Sequence, residues 1–219
     1  MAPTVYISDA DTTTFIRSLV GEATAKYWTD AEITLYKKMG MMVVMSRYWH
    51  LLAPIKQLVV SKGTVSGTAT VDFPDDHFKP IKLEVAETKR TLAYVNPNEL
   101  FKIGDWDATG TPILWTIRDG KIYLYPTPDT TDTDYFNYWY LPYLGTIVDF
   151  PEPLRPIICI EAAILGRAKD KSVTNDLIAL RDLYEQDTLI AISVPQMQEA
   201  EMFRDYETAE MFPLPINED

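Results

Sequence analysis

Residues 110–144 read GTPILWTIRDGKIYLYPTPDTTDTDYFNYWYLPYL, and they carry the strongest signal for tertiary structure in the chain. Asp119 and Gly120 separate two short alternating apolar runs, and an Asp-Gly pair readily adopts the left-handed backbone of a type I′ turn. The sequence therefore predicts a two-residue β-hairpin, in which Ile117 is paired with Ile122.

Aromatic side chains dominate the segment that follows this hairpin. A loop rich in Pro, Thr and Asp comes first, and residues 135–141 then form an almost wholly aromatic run, which is typical of a strand. We expect this run to be the third strand of a unit with the hairpin. A second, less regular hairpin is predicted over residues 55–73, with 58–60 facing 68–73. The middle of the chain is therefore expected to be mainly β.

Helical patterns occupy the N-terminal part of the chain. Thr29 and Glu32 have the spacing of a capping box, in which each side chain accepts a hydrogen bond from the other residue's backbone amide. A helix is predicted to follow over residues 30–52 and to end before Pro54, because proline disfavours helical backbone in the residue before it. A shorter helix is predicted over residues 9–20.

Two more helices are predicted after the β region. Pro153 and Pro156 suit the opening turn of the first, which continues through apolar residues spaced three and four apart. The second covers residues 174–192, and its predicted buried side consists of Leu177, Leu180, Leu183, Tyr184 and Ala191. The predicted fold class is α+β: a helical bundle body made of N- and C-terminal helices, a β-rich hairpin insertion and an extended C-terminal arm.

The predicted organisation has four parts. Residues 1–54 supply the N-terminal helices of the body, 55–150 the β-rich insertion, 151–194 the C-terminal helices of the body, and 195–219 an acidic extended arm. At this length about 70% of the surface of the unfolded chain can be buried on folding, so the chain can hold its own core.

The long N-terminal helix has apolar residues on more than one face, with Leu35, Met39 and Met42 on a stripe beside the main one. A helix so broadly apolar lies either at the centre of a domain or partly in an interface. Flexible packing would come from five methionines: Met39, Met41, Met42 and Met45 in this helix, and Met197 later. Two interpretations stay open for them: core filling, and a subunit contact that can repack.

The charge of the chain excludes one class of function. It has 32 acidic and 20 basic residues, so its formal net charge is −12. A protein that coats duplex DNA needs a basic surface to release phosphate counterions, and this chain does not have that composition. An acidic wall would instead suit a channel through which DNA passes without sticking.

The number of cysteines and the length of the apolar runs indicate the cellular compartment that suits this chain. The single cysteine, Cys159, lies in an apolar run, cannot form an internal disulfide and is predicted to pack in the core, which favours assembly in a reducing cytoplasm. The longest apolar run, residues 41–45, is far shorter than the roughly 20 residues that a membrane span needs. We therefore expect neither export nor membrane insertion.

The last 25 residues differ from the rest of the chain. Residues 195–219 hold seven acids and one base, so half of the net charge lies there. Ala200-Glu-Met-Phe203 recurs as Ala209-Glu-Met-Phe212, and apolar anchors along an acidic segment are what a docking arm needs. A merely solvated tail is the alternative. The predicted partner-docking residues are Met202, Phe203, Tyr206, Met211, Phe212, Leu214 and Ile216.

Enzymatic chemistry has little support in the sequence. His77 follows Asp75 and Asp76, which invites the hypothesis of a general base, but its loop offers no neighbouring nucleophile or glycine-rich oxyanion site. Cys159 has no Cys or His at metal-ligand spacing, and no nucleotide-binding glycine loop occurs. We predict no catalytic, metal-binding or cofactor-binding residues and no cofactor.

Several motifs in fixed order resemble the head-to-tail adaptor, or connector, proteins of tailed bacteriophages. They are Trp28-Thr-Asp-Ala-Glu-Ile33 opening the long helix, the hairpin flanked by prolines over 111–126, Tyr138-Trp-Tyr-Leu-Pro142, and residues 176–184 in a closing helix. The resemblance covers roughly residues 5–192.

The resemblance implies a structural role in the virion neck after assembly in the host cytoplasm. It implies a ring, usually of twelve copies, that docks on the portal protein, lets duplex DNA pass through its lumen and presents a platform to a downstream tail or nozzle protein, without contact with a membrane. Two alternative functions are a small cytoplasmic hydrolase using His77 and nearby acids, and an acidic regulator that binds one protein partner.

Overall fold

The structure is a computed structural model that describes residues 7–22, 27–100, 108–169 and 171–188. The chain divides into two compact units, the first made of Met1–Leu51 with Leu144–Asp219 and the second of Leu52–Tyr143. The α+β class, with helices at both ends and a β-rich middle, is confirmed. The predicted arm at 195–219 lies outside the described residues.

Both predicted N-terminal helices are present, and their starts follow the predicted caps. Helix α1 covers Asp9–Val20, and its first turn is capped by Ser8, whose Oγ accepts a hydrogen bond from the Asp11 amide at 3.2 Å. Helix α2 covers Asp30–Lys56. Before it, the Thr29 amide donates to Glu32 Oε2 at 2.9 Å and the Glu32 amide donates to Thr29 Oγ1 at 3.3 Å, which is the predicted capping box.

The prediction that Pro54 ends this helix was wrong. Pro54 lies inside α2, and the backbone instead departs from helical geometry at Tyr48, where φ is −110° and ψ is 20°. Helical backbone resumes after this kink and continues to Lys56. Proline removes one amide donor but only biases the residue before it, and Ala53, which is buried, keeps helical backbone.

The C-terminal part of the first unit is helical. Short 3₁₀ helices cover Ile147–Asp149 and Glu152–Leu154, and helix α4 follows over Arg155–Lys169 with Pro156 in its first turn, as predicted. Helix α5 covers residues 175–188, starting one residue later than predicted, and residues 189–192 of the predicted helix lie outside the described part. Helix α3, in the second unit, is a single turn over Pro97–Leu100.

Helices α2 and α4 approach closely at Gly40. A Cβ atom built on Gly40 would lie 2.7 Å from the carbonyl oxygen of Ile158 and 3.1 Å from the Ala162 amide nitrogen. The hydrogen side chain of glycine is therefore what lets the two backbones come this near. Near the other end of α4, the Trp28 indole Nε1 donates to the Gly166 carbonyl at 3.3 Å.

Seven strands lie in the described part of the second unit and form two sheets. The strands are β1 Leu58–Thr64, β2 Thr70–Asp72, β3 His77–Val85, β4 Ala93–Tyr94, β5 Leu114–Arg118, β6 Lys121–Tyr125 and β7 Asp132–Pro142. The three-stranded sheet has the order β1-β7-β3, and the four-stranded sheet has the order β2-β6-β5-β4, in which only β4 and β5 are parallel.

The hairpin predicted at Asp119-Gly120 is confirmed in position and register. Ile117 is paired with Ile122, and φ is 51° at Asp119 and 72° at Gly120, as a type I′ turn requires. The predicted pairing of the third strand was wrong, because β7 lies between β1 and β3 and not beside the hairpin. An 11-residue strand with a buried aromatic face finds longer partners there than the five-residue hairpin strands.

The second predicted hairpin was also wrong. Strand β1 is paired with β7 and strand β2 with β6, so the two segments belong to different sheets. A single bridge between Val65 and Thr68 is all that remains of the expected pairing. The chain changes sheets at this turn, and both sheets contribute to one core made of Leu83, Val85, Leu92, Trp115, Ile122, Leu124, Phe136, Tyr138 and Tyr140.

We expect Gly40→Ala to lower the stability of the protein. Overpacking a tight contact typically costs about 1–3 kcal/mol, and the better helix propensity of alanine returns only ~1 kcal/mol. The melting temperature should therefore fall by several degrees in a thermal denaturation experiment.

The matched control is Gly166→Ala, since this glycine is also helical but its added Cβ would lie 3.4 Å from its nearest neighbour, Val20 Cγ1. This variant should melt at or slightly above the wild-type temperature. Equal melting of the two variants would contradict the close contact at Gly40.

Candidate docking surfaces

The predicted docking residues of the C-terminal arm, which are Met202, Phe203, Tyr206, Met211, Phe212, Leu214 and Ile216, all lie outside the described residues. The described part of the chain nevertheless offers two candidate surfaces on helices of the first unit, an apolar stripe and a face with one exposed leucine among acidic residues. One lies on α2 and the other on α5.

The α2 stripe consists of Leu35, Met39 and Met42. Their relative exposures are 55%, 40% and 49%, although all three are large and apolar. Positions i, i+4 and i+7 lie on one helix face, so the three side chains form a continuous strip, with Lys38 exposed beside them. An exposed strip of this kind is typical of an interaction surface.

The opposite face of α2 belongs to the core. Ile33, Met41, Val44 and Met45 are almost completely buried. Core filling therefore holds for Met41 and Met45, whereas Met39 and Met42 face solvent, and for those two the subunit contact stays a prediction. Met197 lies outside the described residues.

An ion cluster joins α2 to α4 and α5. Arg47 Nη1 lies 2.8 Å from Glu161 Oε1 and 2.8 Å from Glu185 Oε1, and Arg181 adds longer contacts to both carboxylates, at 3.6 and 3.5 Å. The Tyr48 hydroxyl donates a hydrogen bond to Glu185. Burial, together with this bond to a carboxylate, raises the pKa of Tyr48 to about 12.

This cluster was not predicted from the sequence. Arg47 and Glu185 are 138 positions apart, and no local spacing rule joins them. Glu161 is only 6% exposed inside an otherwise apolar stretch of α4, and a buried carboxylate requires a cationic partner. A single glutamate in an apolar helical stretch was therefore the one sequence feature that pointed to a buried ion pair.

The α5 face consists of Ala179, Asp182, Leu183 and Asp187, all exposed. Leu183 is 58% exposed, so the prediction that it belongs to the buried side of this helix was wrong, whereas Leu177 is buried as predicted. Six positions along a helix amount to a rotation of about 120° away from Leu177, and that angle turns Leu183 towards solvent. Its neighbours on this face are acidic.

Charge differs sharply between these two surfaces. No Asp or Glu occurs from Ile33 to Val71, whereas Lys37, Lys38, Arg47, Lys56 and Lys62 all lie in that stretch. The α2 stripe therefore belongs to a stretch of sequence without acids, in a chain with a net charge of −12. Asp182 is paired with Arg181 at 2.7 Å and still has a side chain that is 54% exposed.

His77 lies in aromatic surroundings in the second unit. Its ring is stacked on Phe73 at 4.0 Å between centroids, with Tyr138 and Tyr140 at 5.8 and 6.0 Å. Asp76 accepts a hydrogen bond from the Tyr140 hydroxyl at 2.8 Å. Burial lowers the pKa of His77 below its ordinary value, and the nearby charge of Asp76 opposes that shift. These contacts show the His77 imidazole packed among aromatic side chains.

Cys159 is completely buried, as predicted, and burial raises the pKa of its thiol to about 12. Within residues 7–22, 27–100, 108–169 and 171–188, no group of three or more His, Cys, Asp or Glu side chains has an arrangement suited to a metal ion. No helix in these ranges combines the length and hydropathy of a membrane span.

A comparison with protein-family models matches residues 9–205 to the family described as SU10 adaptor protein. The chain belongs to this family. The match covers both helical parts and the β-rich middle, so the resemblance to phage head-to-tail adaptors is confirmed at the level of the family. A comparison with curated proteins found no match.

Family membership makes the adaptor a structural bacteriophage protein with a head-to-tail adaptor role, a component of the virion at the head-tail junction. The match ends at Asp205, between the two Ala-Glu-Met-Phe segments, so it includes Met202 and Phe203 but not Met211 or Phe212.

The surroundings of His77 predict a measurable pH dependence of stability. A histidine whose pKa is lowered on folding binds a proton more readily in the unfolded state. Its contribution to stability is therefore complete above its unfolded pKa of about 6.5 and is lost as the pH falls below that value towards the folded pKa. His77→Phe keeps the stacking and removes the titration, so it should flatten this part of the profile.

The measurement is the melting temperature of wild type and variant between about pH 7.5 and 5. Carboxylates contribute to the acid side of both profiles, so the difference between the two curves isolates His77. The control is His50→Gln, which changes an exposed histidine. Parallel curves for wild type and His77→Phe would contradict the burial of this ring.

Proposed function

We propose that the adaptor closes into a ring, with twelve copies as the expected number, docks on the portal protein, conducts duplex DNA through its lumen and presents a platform to the next tail component. The observation that carries this proposal is the α2 stripe. It gives this member of the adaptor family an exposed apolar surface suited to assembly. Assembly takes place in the host cytoplasm.

The charge of the chain supports passage of DNA without binding. A copy with net charge −12 repels phosphate at long range, and a lumen lined by part of that charge gives duplex no surface on which to stick. The same charge opposes closure of isolated copies. Rings should therefore form on a portal template, which supplies contact energy, or at raised ionic strength, where screening shortens the range of repulsion.

The C-terminal arm, residues 195–219, is proposed as the segment that binds the portal. Its two Ala-Glu-Met-Phe segments place Met202, Phe203, Met211 and Phe212 as anchors, with Tyr206, Leu214 and Ile216 as further contacts. Its acids keep an unbound arm soluble. In the four-part division proposed for the chain, the body would carry the ring contacts and residues 55–150 would face neighbouring neck components.

Catalysis forms no part of the proposed role. The hydrolase hypothesis needs His77 to face a substrate beside its acids, but the ring is stacked on Phe73 and Asp76 is bonded to Tyr140. A general base needs hydrogen-bonding reach to a reacting proton, and the buried Nε2 atom of His77 has no partner within the described part of the chain. The family also favours assembly over the acidic-regulator hypothesis.

Ring formation is tested by sedimentation velocity across a salt series, and the absence of DNA binding is tested on the same samples by titration with duplex. Without portal we expect mostly monomer at physiological salt and larger species as salt rises; with portal we expect rings at physiological salt. A titration with fluorescent duplex at low salt should show no binding by either form. Tight, salt-sensitive binding of duplex by the isolated adaptor would contradict the conduit role.

The arm is tested by Phe203→Ala combined with Phe212→Ala. Truncation of anchor residues in an interface typically costs about 2 kcal/mol each, so portal affinity should fall by well over tenfold in a pull-down or interferometry titration. Thr208→Ala, between the two segments, is the control. The melting temperature should stay unchanged in all variants. Portal binding equal to that of wild type would refute the anchors while leaving ring formation open to its own test.

A further inference from the structure

The two exposed helix surfaces of the first unit are complementary. The α2 stripe is apolar with a basic side chain beside it, because the exposed Lys38 lies next to Leu35 and Met42 on the same helix face. The α5 face is apolar at its centre with acidic flanks, because Asp182 and Asp187 lie beside Leu183. Both surfaces therefore have exposed apolar side chains, and the charges beside them are of opposite sign.

We infer that the α2 stripe of one copy packs on the α5 face of the next copy, and that this contact joins neighbouring subunits. The inference rests on the proposed ring and adds to it the surfaces that form the subunit boundary. Leu35, Met39 and Met42 would cover Leu183 and Ala179, while Lys38 would approach Asp187. Methionines suit this contact because their unbranched side chains adapt to an irregular partner.

Charge selects this pairing over the two symmetric ones. A contact between two α2 stripes would bring Lys38 near its own copy in the partner, and a contact between two α5 faces would bring Asp182 and Asp187 of two chains together. Like charges across an interface are unfavourable and suppress such pairings. Only the mixed contact sets Lys38 against acidic side chains, which suits a chain whose overall charge repels its copies.

A contact between two different surfaces has a consequence for assembly. Such a heterologous contact leaves one α2 stripe and one α5 face unused at each end, so copies add head to tail until the rotation closes a ring. A contact between identical surfaces would stop at a dimer.

Both surfaces are held by the same framework within the first unit. Glu185 of α5 binds Arg47 of α2 at 2.8 Å, and the Thr188 hydroxyl donates to the Pro153 carbonyl at 2.9 Å. Leu177 is buried on the inner side of α5. The ion cluster therefore fixes the α5 face relative to the α2 stripe in each copy, as repeated addition at a constant angle requires.

Cysteine cross-linking of mixed variants tests the contact. Met39→Cys and Leu183→Cys are made in separate chains, mixed in equal amounts with portal at physiological salt, and treated with a short bis-maleimide. Because each chain has one added cysteine and the native Cys159 is completely buried, a cross-link between the two variants is intermolecular. We expect a cross-linked dimer from the mixture and at least about tenfold less from either variant alone.

Charge reversal gives the second test. Lys38→Glu and Asp187→Lys should each lower the yield of rings on the portal by about tenfold, whereas an equal mixture of the two should recover it, because in an alternating ring every contact again sets a basic side chain against an acidic one. The double variant, which has both reversals in one chain, should restore the yield. Lys89→Glu, an exposed lysine of the second unit, is the matched control and should assemble like wild type.

The outcomes separate this inference from the proposed ring. Rings that assemble without the mixed cross-link, or that assemble equally well with either single reversal, overturn the α2–α5 contact and leave the ring intact. A cross-link in Met39→Cys alone overturns it in favour of a symmetric α2 contact. A cross-link from Met39→Cys to Phe203→Cys in place of Leu183→Cys shows that the arm covers the stripe, which also overturns it. Failure of wild type to form any oligomer overturns the proposed ring and the contact together.

Discussion

Helix α2 carries large apolar residues on two opposite faces, and this constraint decides how the first unit is built. One face is fixed against α4, where Gly40 leaves room for the carbonyl oxygen of Ile158 at the position a Cβ would need. With that face buried, Leu35, Met39 and Met42 are turned away from the core. Exposed apolar area of this kind has an unfavourable hydration free energy that contact with another apolar surface removes. The packing inside the first unit thus leaves this surface available for the proposed assembly.

The ion cluster extends the same constraint to α5. Arg47 and Arg181 balance Glu161 and Glu185, and a buried carboxylate left without a cation would be strongly destabilising. Since these four residues come from three helices, the cluster holds the angle between them as well as their distance. The β-rich unit solves a separate problem by surrounding the aromatic strand β7 with β1 and β3. The ion cluster therefore stabilises the arrangement of helices in the first unit, and burial of β7 between two strands stabilises the second.

Features that depend on neighbours in sequence could be predicted. The Thr29 and Glu32 capping box and the Asp119-Gly120 turn follow from spacing within three or four residues, and the structure confirms both. Strand partners could not be predicted in the same way, because β1 and β7 are joined by nonlocal burial that leaves no short-range pattern. Pro54 shows the complementary error, since a local bias against helix was outweighed by the helical packing around it.

The docking surfaces were predictable only in part. The stripe of Leu35, Met39 and Met42 was visible as apolar periodicity, but sequence alone left core and interface open for it. Leu183 was wrongly assigned to the buried side because each step of three residues falls short of a full helical turn. After six residues the side chain has rotated about 120° from Leu177, and the structure shows which of the two faces is buried. The contacts of Arg47 with Glu161 and Glu185 span more than 100 positions and required the fold.

An electron cryomicroscopy reconstruction of wild-type adaptor assembled on its portal protein is the most direct measurement. The prediction is a closed ring around an open lumen, in which Met39 and Met42 of every copy are buried against the α5 helix of the adjacent copy. A ring in which the α2 stripe faces solvent or lumen would contradict the role given to this helix. The absence of any ring on the portal would contradict the assembly role as a whole.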